Sequence, residues 1–211
     1  MDQLIRYLSR PQTGPEVGRL FVQHLNLTAT ALGIALLLSL PLGLLVARWR
    51  RGGDAVLGVL GVLYTIPSLA LLVLLIPFLR LGFRLAVTVL VVYAQLILVR
   101  NIAVGLRGVD PAVSEAARGM GMNDWQRLAR VELPLALPVI IAGIRIAALS
   151  TIGIATVATL VNAGGLGKLL FDGVNQSNYA KIYVGSFCIA LLAITIDQAL
   201  RLLERVASSG R

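Results

Sequence analysis

The chain has 211 residues, 57% of them hydrophobic and only 14% charged, and its mean hydropathy is +0.85. A soluble domain of this size cannot bury so much apolar surface, which excludes a soluble enzyme or a free nucleic-acid binder. The formal charge of +9 resides in basic residues set between long apolar runs, where membrane topology and anionic lipid headgroups explain it better than nucleic acid does.

Residues 1–24 read as an N-terminal extracytoplasmic segment, with Leu4, Ile5, Tyr7 and Leu8 placed between arginines for the outer membrane surface. A signal peptide does not fit, because the first apolar run starts at about Leu25 and is too long for an h-region. His24 falls at the outer headgroup boundary. A transmembrane region follows over 25–203, with spans at 25–47, 55–79, 81–99, 138–163 and 182–200 and a short tail at 204–211. The second span carries Pro67 and Pro77; Cys188 fills space in the fifth. Five spans put the termini on opposite sides. With the N-terminus outside, eleven Lys and Arg residues lie in the cytoplasm against seven outside, which favours N-out and C-in.

Small residues recur every fourth position in two spans: Ala31, Ala35, Ser39, Gly43 and Ala47 in the first, and Gly143, Ala147, Thr151, Ala155, Thr159 and Ala163 in the fourth. Such stripes let helices approach closely in lipid. A second reading has the polar face of the fourth span lining a solute path through Ser150, Thr151, Thr156 and Thr159. Different faces can do each job. Arg145 in this span and Asp197 in the fifth are intramembrane charges. A charge at the bilayer centre costs about 2.5–3.5 kcal/mol, so Arg145 either snorkels to the cytoplasmic surface or pairs with Asp197.

The longest polar stretch, 100–137, separates the third and fourth spans. Asp110-Pro111 starts a helix, since Asp caps and Pro suits the first helical position. Gly119 or Gly121 ends it. Asn123 offers a second N-cap, with Gln126 three residues on as in a capping box, and Asp124 favours the positive end of that helix. The second helix should stop before Pro134 and Pro138. Ala116, Ala117, Met120 and Met122 give the projecting helix–turn–helix a small, adaptable apolar face for a partner.

The stretch Glu115-Ala116-Ala117-Arg118-Gly119-Met120-Gly121, nine residues, then Val131-Glu132-Leu133-Pro134 resembles the EAA motif of ABC importer permeases, with Val131 where the motif has Ile. The resemblance implies an all-α membrane protein of the type I ABC importer permease fold, whose EAA loop forms a coupling helix on a cytoplasmic ATPase dimer. Glu115, Ala116, Ala117, Gly119, Met120, Gly121, Met122 and Asp124 are the residues it assigns to that contact. Arg107-Gly108-Val109-Asp110-Pro111, Ala142-Gly143-Ile144-Arg145, Pro67-Ser68-Leu69-Ala70 and Ala163-Gly164-Gly165-Leu166-Gly167 are similar to permeases for osmoprotectants such as glycine betaine, choline and carnitine. Two positions depart from that pattern: no proline precedes Arg100-Asn101, and Asn162 stands where a small residue is usual.

The resemblance further implies a second permease copy, a homodimer or a related heterodimer, and an extracytoplasmic solute-binding protein in a cell membrane. Tyr64, Ser68 and Tyr93 join the four serine and threonine positions as path candidates. Asn162, Gly164, Gly165 and Gly167 are outer-gate candidates. Gly164-Gly165-Leu166-Gly167-Lys168 is no P-loop, since it ends in Leu169 and lacks the upstream glycine. ATP and magnesium are therefore expected on the partner ATPase and no cofactor on this chain. No aromatic cluster cages a quaternary ammonium here, so tight recognition falls to the binding protein. The rivals are the same machine for an amino acid or alkyl sulfonate, and an ATP-independent secondary transporter. A membrane enzyme lacks a nucleophile–base or metal set, with His24 and Cys188 the sole residues of their types.

Overall fold

A computed structural model describes residues 5–7 and 9–209, and every element among them is helical. The elements are α1 (Thr13–Arg48), α2 (Arg50–Thr65), α3 (Ser68–Leu79), α4 (Phe83–Arg107), α5 (Pro111–Gly119), α6 (Asp124–Arg127), a π turn (Leu128–Glu132), α7 (Leu133–Ala158), a 3-10 turn (Thr159–Val161), α8 (Gly167–Asn175) and α9 (Tyr179–Ser209). Four helical stretches are long and apolar enough to cross a membrane, or five if the bent pair α2–α3 counts as one span.

Helix α4 is the axis of the bundle. Its residues from Leu85 to Ala103 are buried on most faces, with α1 and α7 packed along it and α2 and α3 against its flank. Helix α9 packs on α7 and α8. The four-residue stripes sit in these seams: Ala31, Ala35, Ser39 and Gly43 are buried on α1, and Gly143, Ala147, Thr151 and Ala155 on α7. Their size is what permits the approach. A Cβ on Gly43 would lie 2.6 Å from Ile102 Cγ2, and one on Gly143 would overlap Asn101. Gln95 uses the same closeness to donate from Nε2 to Ala35 O across the seam, at 3.2 Å.

Helix ends differ from the sequence reading at several places, α4 running on to Arg107 and α9 to Ser209, and three of the differences show their cause. Helix α1 begins at Thr13 rather than near Leu25, because its buried face continues upstream through Leu20 and His24. Tyr7 is buried as well, while Leu4 and Leu8 lie outside the described residues. The second span is two helices bent by 94° at Ile66-Pro67. Pro67 has no N–H to donate and pushes the residue before it out of the helical region, so Ile66 is extended at φ −66° and ψ 126°. Tyr93 on α4 donates its hydroxyl to the Ile66 carbonyl exposed by that break. Finally, the helix after Asn123 does not stop before Pro134 and Pro138. A π turn, closed by Leu133 N–H on Leu128 O, places Pro134 in the first turn of α7, where no intrahelical donor is required.

Candidate functional site

The projecting loop is built by local rules. Asp110 caps α5 by accepting from Ala112 N–H at 2.8 Å. The helix ends in a Schellman turn: Met122 N–H reaches Ala117 O (3.2 Å), Gly121 N–H reaches Arg118 O (3.0 Å), and Gly121 has φ +82°. Asn123 and Gln126 form the capping box in both directions, at 2.8 and 3.0 Å. Glu115, Ala116, Gly119, Met120, Gly121 and Asp124 are exposed, Met122 is half-buried, and Trp125 adds a wide apolar face that is three-quarters exposed. Ala117 departs from the expected contact set. It is 1% exposed and faces inward, where only a small side chain lets α5 lie on the π turn.

The seat of this loop is Glu132, which is buried. Its Oε2 accepts from Arg48 Nη2 at the end of α1 (2.6 Å), and its Oε1 accepts from Arg127 Nε (3.0 Å) and from Ser114 Oγ on α5 (3.1 Å). Arg127 also pairs with Asp124 at 3.0 Å. Arg107, at the end of α4, donates to Val46 O (2.5 Å) and so ties the last turn of α1 to the bundle. Charge-assisted hydrogen bonds of this kind are short and directional, and they fix the loop's position on the bundle.

The opposite end of α1 and α7 is closed by backbone. After the 3-10 turn, Asn162 adopts the left-handed region (φ 61°) and is exposed; Gly164 and Gly165 follow with φ +79° and +88°. Thr159 donates to Gly164 O at 2.7 Å. Gln23 Oε1 accepts from Gly165 N–H at 3.3 Å, and a Cβ on Gly165 would sit 3.0 Å from His24 Nδ1. Gly167 lies so close to the Thr156 carbonyl that any side chain would overlap it. His24, expected at the headgroup boundary, is fully buried beneath this loop.

Between the two ends the polar candidates divide. Thr151 is 2% exposed and donates to Ala147 O at 2.7 Å, so it belongs to the packing seam and not to an open face. Thr156 donates to Ile152 O (3.1 Å) and is half-buried, as is Ser150. Tyr64 and Tyr93 stand with ring centroids 5.6 Å apart beside the α2–α3 break; Tyr64 is exposed and Ser68 half-buried next to it. Arg145 is paired. It meets Asp197 at 3.2 Å and Glu204 at 3.4 Å on α9, and Arg201 braces Asp197 at 2.9 Å. Arg145, Arg201 and Glu204 edge an open cavity of about 610 Å³ together with Arg205 and Ser208.

The family of binding-protein-dependent transport system inner membrane components matches residues 39–208. The chain belongs to that family. This permease is 43% identical over 189 residues to the osmoprotectant import permease protein OsmW of Salmonella typhimurium, covering 87% of this chain and 88% of that protein. It is 41% identical over 182 residues to the carnitine transport permease protein OpuCB of Listeria monocytogenes, covering 86% and 84%. To the glycine betaine/carnitine/choline transport system permease protein OpuCB of Bacillus subtilis it is 36% identical over 205 residues, covering 97% and 94%. Among solved structures, a chain of the inward-facing MetNI methionine ABC transporter matches with a TM-score of 0.87 at 23% identity, covering 94% of this chain and 99% of that one. A bacterial alginate ABC transporter matches at 0.75 and 15% identity, covering 97% and 82%. These two show the shared fold: the permease has the type I ABC fold.

Family membership makes the chain a multi-pass inner membrane transport component rather than an enzyme, and it implies ATPase and binding-protein partners. Three residues at the two ends of the permease were not singled out from sequence as site residues. Glu132 sat inside the motif without a role, and its signal was a carboxylate at the foot of an apolar span, which needs a partner to be buried. Gln23 and His24 carried a weaker signal, their step of three to four residues from Leu20 and Leu27 along the buried stripe of α1.

Proposed function

We propose that this permease moves a quaternary-amine osmoprotectant, such as glycine betaine, choline or carnitine, into the cell. The observation that carries the solute class is the agreement of relatives 35–43% identical over most of the chain, each named for osmoprotectant, carnitine or choline transport. Two copies, or this chain and a related permease, surround a central path, with the N-terminus outside and the C-terminus inside. Two ATPases, which bind the ATP and magnesium, dock on the exposed face of residues 110–125, where Glu115, Ala116, Met120 and Trp125 meet them. The binding protein docks at the other end, near the Gly164–Gly167 loop, which acts as the outer gate. Tyr64, Ser68, Ser150 and Thr156, exposed or half-buried in the single chain, line that path; none forms a cage, which suits rapid release of a cation delivered by another protein.

Uptake of labelled glycine betaine into proteoliposomes holding the permease, its ATPase and its binding protein tests this reading. ATP-dependent uptake, competed by choline or carnitine and not by methionine, is the expected result. ATP hydrolysis without betaine uptake would reject the solute. Gly121→Arg should leave the chain in the membrane and abolish uptake, since Gly121 has φ +82° and a bulky side chain there spoils both the turn and the approach of a partner. Normal uptake by that variant would remove the loop from the coupling role.

A further inference from the structure

We infer that Glu132 is the positioning residue through which movement of the docked loop enters the bundle, and that it does so by holding the feet of α1 and α7 together. The inference rests on the loop's proposed role as the ATPase contact and names the joint that such a contact needs.

Three elements converge on one carboxylate. Ser114 belongs to α5, the part a partner would push; Arg127 belongs to α6; Arg48 is the last residue of α1. Glu132 itself ends the π turn from which α7 rises. A carboxylate accepts about four hydrogen bonds, so three occupied directions leave it little freedom to follow one partner without moving the others. The backbone beneath is looser than the side-chain joint. Pro134 has no N–H, and the turn before α7 closes by a bond from Leu133 to Leu128 in place of the ordinary ladder. A pivot of this kind bends where the ladder is open. A displaced α5 therefore carries Ser114, Glu132 and Arg48 with it, while the wide turn lets α7 tilt.

The two helices joined by Glu132 at the base are the two joined by the glycine clasp at the far end. Helix α1 carries Gln23 and His24, and α7 runs into Thr159 and the Gly164–Gly167 loop that they hold. Arg48 and His24 are 24 residues apart on one helix, about 36 Å at ~1.5 Å per residue. Helix α1 runs unbroken between them, with Pro41 inside it, so a shift at Glu132 is carried along α1 towards Gly165. At that end Gly165 N–H reaches Gln23 of α1 over 3.3 Å, longer than any of the bonds to Glu132, so this link is the one that gives.

The experiment uses the complete transporter in proteoliposomes and reads the stimulation of ATP hydrolysis by the loaded binding protein, a signal that must cross the membrane. Basal hydrolysis and the amount of assembled complex are measured alongside. Glu132→Ala should lose stimulation by about tenfold per assembled complex. Arg48→Ala should lose it similarly and Arg48→Lys should retain it, because the lysine keeps a charged donor at the same site. Ser114→Ala removes one hydroxyl on the side of a short surface helix, cannot unfold the bundle, and should lower stimulation about threefold. Stimulation that survives in Glu132→Ala and Ser114→Ala, or that falls only in proportion to assembled complex, would overturn the inference. A wild-type complex that is stimulated but takes up no betaine would reject the solute and leave the Glu132 comparison standing. A wild-type chain that binds no ATPase would overturn both.

Discussion

The two ends of α1 and α7 are held by opposite means. At the base a buried carboxylate gathers donors from α1, α5 and α6, over distances of 2.6 to 3.1 Å. At the other end the contacts come from missing side chains: two glycines with positive φ, and a third pressed on the Thr156 carbonyl. A charged hub works through several directional hydrogen bonds on one carboxylate, so its partners move together. A glycine clasp works through close approach and admits no added atom. The first suits a joint that must stay closed while it moves. The second suits a contact that must open and return to one geometry.

The largest expected effect lies in the clasp. Gly167→Val puts a branched side chain into backbone that cannot move aside, and should destabilise by about 3 kcal/mol or more, seen as loss of monodisperse protein in detergent. Gly153→Ala on α7 is the control: open space surrounds it, and the variant should unfold no lower than the parent, with a gain of about 0.5–1 kcal/mol. Equal tolerance at both glycines would erase the contrast. Gly165→Ala comes next. It adds a Cβ where φ is +88° and His24 Nδ1 is 3.0 Å away, for about 2 kcal/mol, with uptake reduced and ATPase binding to the loop intact.

Arg145→Ala tests whether a charged contact between the ends behaves like the base. It removes this partner from Glu204 and leaves Asp197 its pair with Arg201, in a setting about a quarter exposed; a cost of about 2 kcal/mol follows after allowing for solvent. Lower complex yield with unchanged choice among betaine, choline and carnitine is expected, and altered choice at full yield would contradict it. The smallest effect belongs to Tyr93→Phe, which frees the Ile66 carbonyl at the α2–α3 break for about 0.5–1.5 kcal/mol in thermal unfolding. A much larger loss would mean the break is held by this one bond rather than by Pro67.

Much of the projecting loop was legible in the chain because its rules are local. Asp110-Pro111, Asn123 with Gln126, and Gly121 each act within a few residues, and hydrogen bonds at those positions close as their residue types require. The stripe of small residues was legible as a stripe, but its duty was not. Thr151 reads as polar in sequence, and only the neighbouring α1 shows it buried with its hydroxyl spent on Ala147. The same holds for Arg145, whose two options differed only in whether α9 stood within reach.

The sequence by itself determined the membrane class, the apolar spans, the caps and the family motif, because hydropathy and capping are summed over neighbouring residues. The tertiary structure alone decided that Pro67 turns the chain by 94°, that His24 lies beneath Gly165, and that Glu132 faces Arg48, 84 residues away. Those facts depend on which helices meet and how closely. Close meeting is set jointly by small residues on two separate segments, and no single window of the chain contains both.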